Sequence, residues 1–157
     1  MRKIYNTYLE TYINKIEIIN GQKTINDNVY IVGMDLTKLP DFSDITINGD
    51  FSCSCNNLTS LTGSPKIITN TFICSNNELT SFDNAPRYVG GLWCTRNKFI
   101  SLRGAPISTK QNIIFYSDQF TALQYENYCI EETQRRLLTA SMDTESVELF
   151  GEMIDFI

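Results

Sequence analysis

Apolar and polar positions recur in a fixed phrase through the middle of the chain. The segment Phe51-Ser52-Cys53-Ser54-Cys55-Asn56-Asn57-Leu58-Thr59-Ser60-Leu61 returns as Phe72-Ile73-Cys74-Ser75-Asn76-Asn77-Glu78-Leu79-Thr80-Ser81-Phe82. It returns again as Leu92-Trp93-Cys94-Thr95-Arg96-Asn97-Lys98-Phe99-Ile100-Ser101-Leu102, at spacings of 21 and then 20 residues. A worn copy places Ile113, Phe115, Asp118, Phe120 and Leu123 at the same five positions. Another precedes the set, with Val29, Ile31, Met34, Leu36 and Leu39. Between the copies runs a second recurring piece, Gly63-Ser64-Pro65, Asn84-Ala85-Pro86 and Gly104-Ala105-Pro106.

The alternation apolar-x-apolar predicts a short strand in each copy, with successive side chains on opposite faces. One coil cannot bury its apolar side alone, so the copies are expected to stack into a parallel sheet. Phe51, Phe72, Leu92 and Ile113 would form one inward column, and Cys53, Cys74, Cys94 and Phe115 another. Asn56, Asn77, Asn97 and Asp118 would line up where the strand turns away. A short amide carries both donors and acceptors and can satisfy backbone groups buried at that turn. The prolines suit the opposite side, where a missing N–H is harmless.

The pattern resembles the leucine-rich repeat, with Phe, Cys and Ile in several Leu positions, across residues 29–123. The 20–22-residue period is similar to the short bacterial type, and the wording around Cys74-Ser75-Asn76-Asn77 resembles repeats of bacteriophages and large DNA viruses. The resemblance implies an α/β fold: a short solenoid with a parallel concave sheet, an irregular convex side and helical caps. Residues 1–28 are expected to form an N-terminal helix and hairpin cap, 29–123 five coils, and 124–157 an acidic helical cap, all in one structural domain. Ile4, Tyr5, Tyr8, Leu9, Tyr12 and Ile13 supply the helical spacing, and Asn20-Gly21 the hairpin turn. A last helix is expected from Asp143-Thr144-Glu145-Ser146, with Val147, Phe150, Ile154 and Ile157 on one stripe. It would cap coil five, or lay that stripe in a partner's groove.

Charge is uneven. Residues 1–123 hold 11 Lys/Arg and 10 Asp/Glu, whereas 124–157 hold 2 and 8. A strongly basic face is missing, which argues against nucleic acid as partner. The acidic tail fits a solvated helix surface, or a basic partner protein. No apolar run reaches the 18 residues that suggest a membrane span. The first eight residues lack the apolar stretch of an export signal, and the five cysteines are an odd number. Both point to reduced thiols in the cytoplasm, the host cytoplasm for a viral protein.

The chain has no histidine, which removes the usual general base and the commonest metal ligand. No phosphate-binding or dinucleotide fingerprint occurs. Cys53, Cys55, Cys74 and Cys94 could suggest a metal, but three of them fall in the inward column, where a free Cys packs as a small hydrophobe. Neither catalysis nor a metal or other cofactor is expected.

The residues between the inward columns should face out: Tyr30, Ser52, Ile73, Trp93 and Ile114, then Val32, Ser54, Ser75, Thr95 and Tyr116. Trp and Tyr often carry binding energy at interfaces. Tyr30, Ile73, Trp93, Ile114 and Tyr116 are therefore the candidate partner-binding residues, with Arg96 adding a charge-assisted contact. The expected function is protein binding, as a small virus- or phage-like adaptor or inhibitor of a host protein. The alternative is a structural protein that self-associates through a solenoid edge or the C-terminal helix. Monomer and homo-oligomer both stay open.

Overall fold

A computed structural model of the chain describes residues 10–110 and 114–140. Its strands are β1 (Ile16–Ile19), β2 (Gln22–Ile25), β3 (Val29–Tyr30), β4 (Ile45–Ile47) and β5 (Phe51–Ser52), followed by β6 (Ile67–Ile73), β7 (Tyr88–Trp93), β8 (Ile107–Ser108) and β9 (Ile114–Tyr116). Helix α1 (Ala122–Ala140) follows the last strand. The protein is a parallel-strand β-solenoid of about four turns, mainly β, with a C-terminal helix. The helix expected from Asp143 lies outside the described residues, as does the N-terminal helix except for a helical turn at 10–13.

Two ladders run along the solenoid. In the first, β3, β5, the end of β6, the end of β7 and β9 pair in parallel, with Phe51 opposite Val29 and Phe72, Phe72 opposite Leu92, and Leu92 opposite Phe115. In the second, β2, β4, the start of β6, the start of β7 and β8 pair, with Ile47 opposite Ile25 and Ile68. The second ladder occupies the stretch from which the sequence predicts an irregular convex side. Its strands are two or three residues per coil, too short for alternation alone to separate from loop.

β1 and β2 form an antiparallel hairpin across Asn20 and Gly21, both left-handed at φ 50° and 79°. That geometry is what an Asn-Gly turn supplies. The same β2 is also the first rung of the second ladder, so the hairpin covers the solenoid's open end. Tyr12 does the same for the first ladder. Its hydroxyl accepts from the Tyr30 N–H at 3.1 Å and donates to the Tyr30 carbonyl at 3.4 Å.

Val29, Phe51, Phe72 and Leu92 are fully buried, and so are Ile31, Cys53, Cys74 and Cys94 in the adjoining column. The final coil departs from the predicted register. Leu92 faces Phe115 rather than Ile113, because seven residues separate Ser108 from Phe115 where the preceding coils use three or four. A shift of two keeps every side chain on its own face but moves Phe115 into the Phe column. The Asn column consequently stops at Asn97. Asp118 is exposed, and both its carboxylate oxygens accept from the Arg96 N–H at 2.9 Å.

Helix α1 closes the last coil. It opens on a reciprocal cap: Gln124 N–H donates to Thr121 Oγ1, and Thr121 N–H donates to Gln124 Oε1 at 2.7 Å. Tyr125 stacks on Phe115 at 4.4 Å between centroids and donates its hydroxyl to the Pro106 carbonyl at 2.7 Å. Tyr128 donates to the Ala105 carbonyl at 2.9 Å. These phenols satisfy carbonyls that the next coil would have covered. Further along, Glu132 holds Arg135 and Arg136, and those bonds, led by Arg135, keep its carboxyl down at about 2.

Candidate functional site

Four coils end their first-ladder strand at a residue in left-handed conformation, which in three of them immediately precedes the column Asn. Cys55, Asn76 and Arg96 stand there at φ 56°, 56° and 53°, and Gly33 takes the matching place in the first coil at 65°. The reversal aims the next side chain, the Asn, back into the stack. Asn77 Nδ2 donates to the Cys53 and Cys74 carbonyls, each at 3.1 Å, and its Oδ1 accepts from the Leu58 N–H at 3.0 Å. Asn97 repeats this with Cys74, Cys94 and Leu79. Asn56 serves Ile31, Cys53, Met34 and Leu36. Every amide thus bonds its own coil to the one before, which holds the outer face of the first ladder in regular register.

On that outer face, one side chain per coil stands in a row. Tyr30 is opposite Ser52, Ser52 opposite Ile73, Ile73 opposite Trp93, and Trp93 opposite Tyr116. Ile114 stands two residues back, opposite Gly91. The structure therefore puts five of the six candidate residues on one face and sets Arg96 at its margin, in the left-handed turn. There its Nη1 reaches Asn76 Oδ1 at 3.3 Å.

Exposure divides the row. Trp93 is 41% exposed, Tyr116 57% and Ile114 39%. The Trp93 and Tyr116 rings meet edge to face at 5.1 Å and 81°, so each fixes the other's orientation. Ile73 is half-buried. Ser52 and Ser54 also lie on this face, yet both are buried, their hydroxyls bonded to each other at 2.6 Å. Small side chains between taller neighbours lose contact with water even on an outer surface. Tyr30, beyond this dip, is 40% exposed and donates to Asp50 at 3.3 Å. Desolvation, then the Asp50 carboxylate, pushes its phenol up.

Sequence reasoning missed two residues here. Asp50 anchors Tyr30 and also accepts from the Thr71 N–H at 2.9 Å, but an acid at a strand corner carries no mark of that role. Gly91 leaves room for Ile114, since an added Cβ would lie 2.9 Å from the Ile114 Cβ. The Gly90-Gly91 pair inside a strand was the available signal.

No family model, curated protein or solved structure matches this chain.

The described residues contain no group of three or more His, Cys, Asp or Glu placed to hold a metal ion. Burial pushes the Cys53 and Cys94 thiols up to about 12, and Cys74 well above its ordinary value. Thiols held protonated are poor nucleophiles and poor ligands. Cys55 alone is exposed; Cys53, Cys74, Cys94 and Cys129 are buried. In a disulfide-exchange titration of the native protein, one thiol is expected to react promptly. The other four should react only after unfolding, and prompt reaction of two or more would contradict the packed column.

Proposed function

We propose that the chain is a non-catalytic protein-binding module of the leucine-rich-repeat type, and that its partner seats on the Trp93–Tyr116 end of the first ladder's outer face. The observation that carries this reading is the exposed edge-to-face pair, flanked by Ile114 and Ile73 on a rigid, regular sheet. Rigid aromatics lose little side-chain entropy on binding and bury much area, which is why they concentrate binding energy. The phage- and virus-like wording of the repeat supports a small adaptor or inhibitor acting on a host protein in the host cytoplasm. The suppressed column thiols and the lack of any histidine support a binding role over a catalytic one.

The test is affinity capture from host lysate, followed by direct titration of the captured protein. Trp93→Ala combined with Tyr116→Ala is expected to weaken binding at least 100-fold, about 2.7 kcal/mol. The melt should stay within about 1 kcal/mol of the parent, because both side chains are surface-exposed. Equal capture by both baits would overturn the site.

One observation favours a second reading, self-association through α1. Leu123, Ile130 and Leu137 recur every seven residues on α1 and are all exposed. Sedimentation that rises with concentration, together with equal capture, would move the function there.

A further inference from the structure

The turns leading into the second ladder carry a groove of about 520 Å³ that the proposed partner face does not use. Lys66 and Arg87 line it from neighbouring rungs, with the Arg87 N–H donating to the Lys66 carbonyl at 2.9 Å. Neither makes an ion pair with any described residue, whereas Lys15, Lys23 and Lys98 each have an acidic partner. The Lys66 N–H donates to the Ile45 carbonyl, but the neighbouring Asp44 is taken by Lys23. Asp41 is the one acid in the lining, and its Oδ1 already accepts from the Ser43 N–H and hydroxyl. Two cations thus face one engaged carboxylate, and positive charge is left over.

Unused hydrogen-bond donors gather at the same place. Buried polar side-chain atoms in folded proteins almost always have a partner. Among the described residues, Ser64 Oγ, Tyr88 Oη and Arg136 Nη1 are buried without one. Ser64 lines the groove beside Lys66. The Tyr88 ring carries the Arg87 guanidinium 5.6 Å from its centroid, and the Arg136 guanidinium at the same distance. Arg136 shares its only acid, Glu132, with Arg135, so its charge adds to the positive field at Arg87. All three orphaned atoms can donate. The region is therefore short of acceptors as well as of negative charge.

One chemical group supplies both. Neighbouring rungs stand about 4.8 Å apart, close enough for an ammonium and a guanidinium to grip one group. A phosphate monoester carries about −1.5 to −2 charge at neutral pH and three terminal oxygens that accept. A carboxylate brings a single charge and two oxygens. The groove also has room beyond one phosphate, and Leu39, Pro65 and Ala85 give it an apolar wall. We propose that the Lys66–Arg87 groove binds a soluble phosphate monoester. The phosphate lies between the two cations, and the organic body rests against Leu39, Pro65 and Ala85.

Titrating the isotope-labelled full-length protein with phenyl phosphate at constant ionic strength, read by amide resonances, tests this. Saturable shifts are expected at the amides of Lys66, Asn84 and Arg87. Lys66→Gln with Arg87→Gln should weaken binding by roughly tenfold or more, because both charge-assisted contacts go. Lys66→Gln alone leaves the Arg87–Tyr88 contact intact and should still lose several-fold if the double variant melts early. Lys98→Gln removes a cation already paired with Glu78 and should titrate like the parent. Trp93→Ala with Tyr116→Ala should do the same, which keeps this test apart from the partner face. Shifts that grow without saturation, or undiminished binding in both groove variants, would overturn the proposal. Benzoate binding as tightly as phenyl phosphate would refute the phosphate, and inorganic phosphate binding as tightly would refute the organic body. Binding confined to phosphatidylcholine vesicles that contain phosphatidic acid would place the ligand in a membrane and overturn the assignment to a soluble ester.

Discussion

Asn77→Ala is expected to destabilise the protein by on the order of 1–3 kcal/mol, read as a lower midpoint in chemical denaturation. The amide is buried, as are its partners. Its removal leaves the Leu58 N–H without an acceptor and takes a donor from the Cys53 and Cys74 carbonyls. An orphaned buried polar group costs about 1–3 kcal/mol, and the Leu58 N–H is one, while the two carbonyls keep the Asn56 and Asn97 amides as donors. Asn77→Asp tests the same idea through chemistry instead of size. A carboxylate can still accept from Leu58, but it places lone pairs against the two carbonyl oxygens to which the amide donates. We expect Asp to cost no less than Ala at neutral pH. A loss below about 1 kcal/mol in either variant would mean that the column does not hold the coils together.

Gly90→Ala is the second large effect, at about 2–4 kcal/mol, in the upper range of overpacking costs. The reason is space and not backbone conformation. β6 uses Thr69 and Asn70 where β7 has Gly90 alone, so the register slips between Ile68 and Thr71. A Cβ on Gly90 would lie 2.5 Å from the Thr69 carbonyl oxygen and 2.8 Å from that of Asn70. Carbonyls of a packed neighbouring coil cannot step aside as a side chain can. Gly91→Ala supplies a milder contrast, because its added Cβ meets one residue of the last coil, the Ile114 Cβ at 2.9 Å and carbonyl oxygen at 3.1 Å, where Gly90 meets two carbonyls below 3 Å. Thermal melts should rank Gly90→Ala below Gly91→Ala, and equal melts would show that the corner relaxes.

The Gly90 corner also shows why repeat spacing was partly legible. Phe51 to Phe72 is 21 residues and Phe72 to Leu92 is 20, and the missing residue is the one that the bulge accommodates. The numbers revealed a local irregularity without locating it. In the last coil the same arithmetic misled, since a copy matched at Ile113 puts Phe115 one pleat too far along. Apolar residues two apart fit either register, and only the length of the corner decides between them. Asp118 was misplaced for the same reason.

The proposed binding face follows this division. That Trp93 and Tyr116 point away from the core follows from alternation, which survives a two-residue slip. That their rings meet at 5.1 Å depends on the slip itself, which brings Tyr116 opposite Trp93. Alternation puts Ser52 and Ser54 on the outer face, yet both are buried, since burial depends on the height of neighbouring coils. The chain by itself determined the stacking of coils, the inward Phe and Cys columns and the Asn column as far as Asn97. Those features are written as a short period in side-chain type, and local sterics together with backbone hydrogen bonding leave that period one good solution. The tertiary structure alone decided the second ladder, the final register, the Asp50–Tyr30 bond and the seating of α1 on Phe115. Each joins residues from different coils across corners of unequal length, and corner length leaves no periodic trace in the sequence.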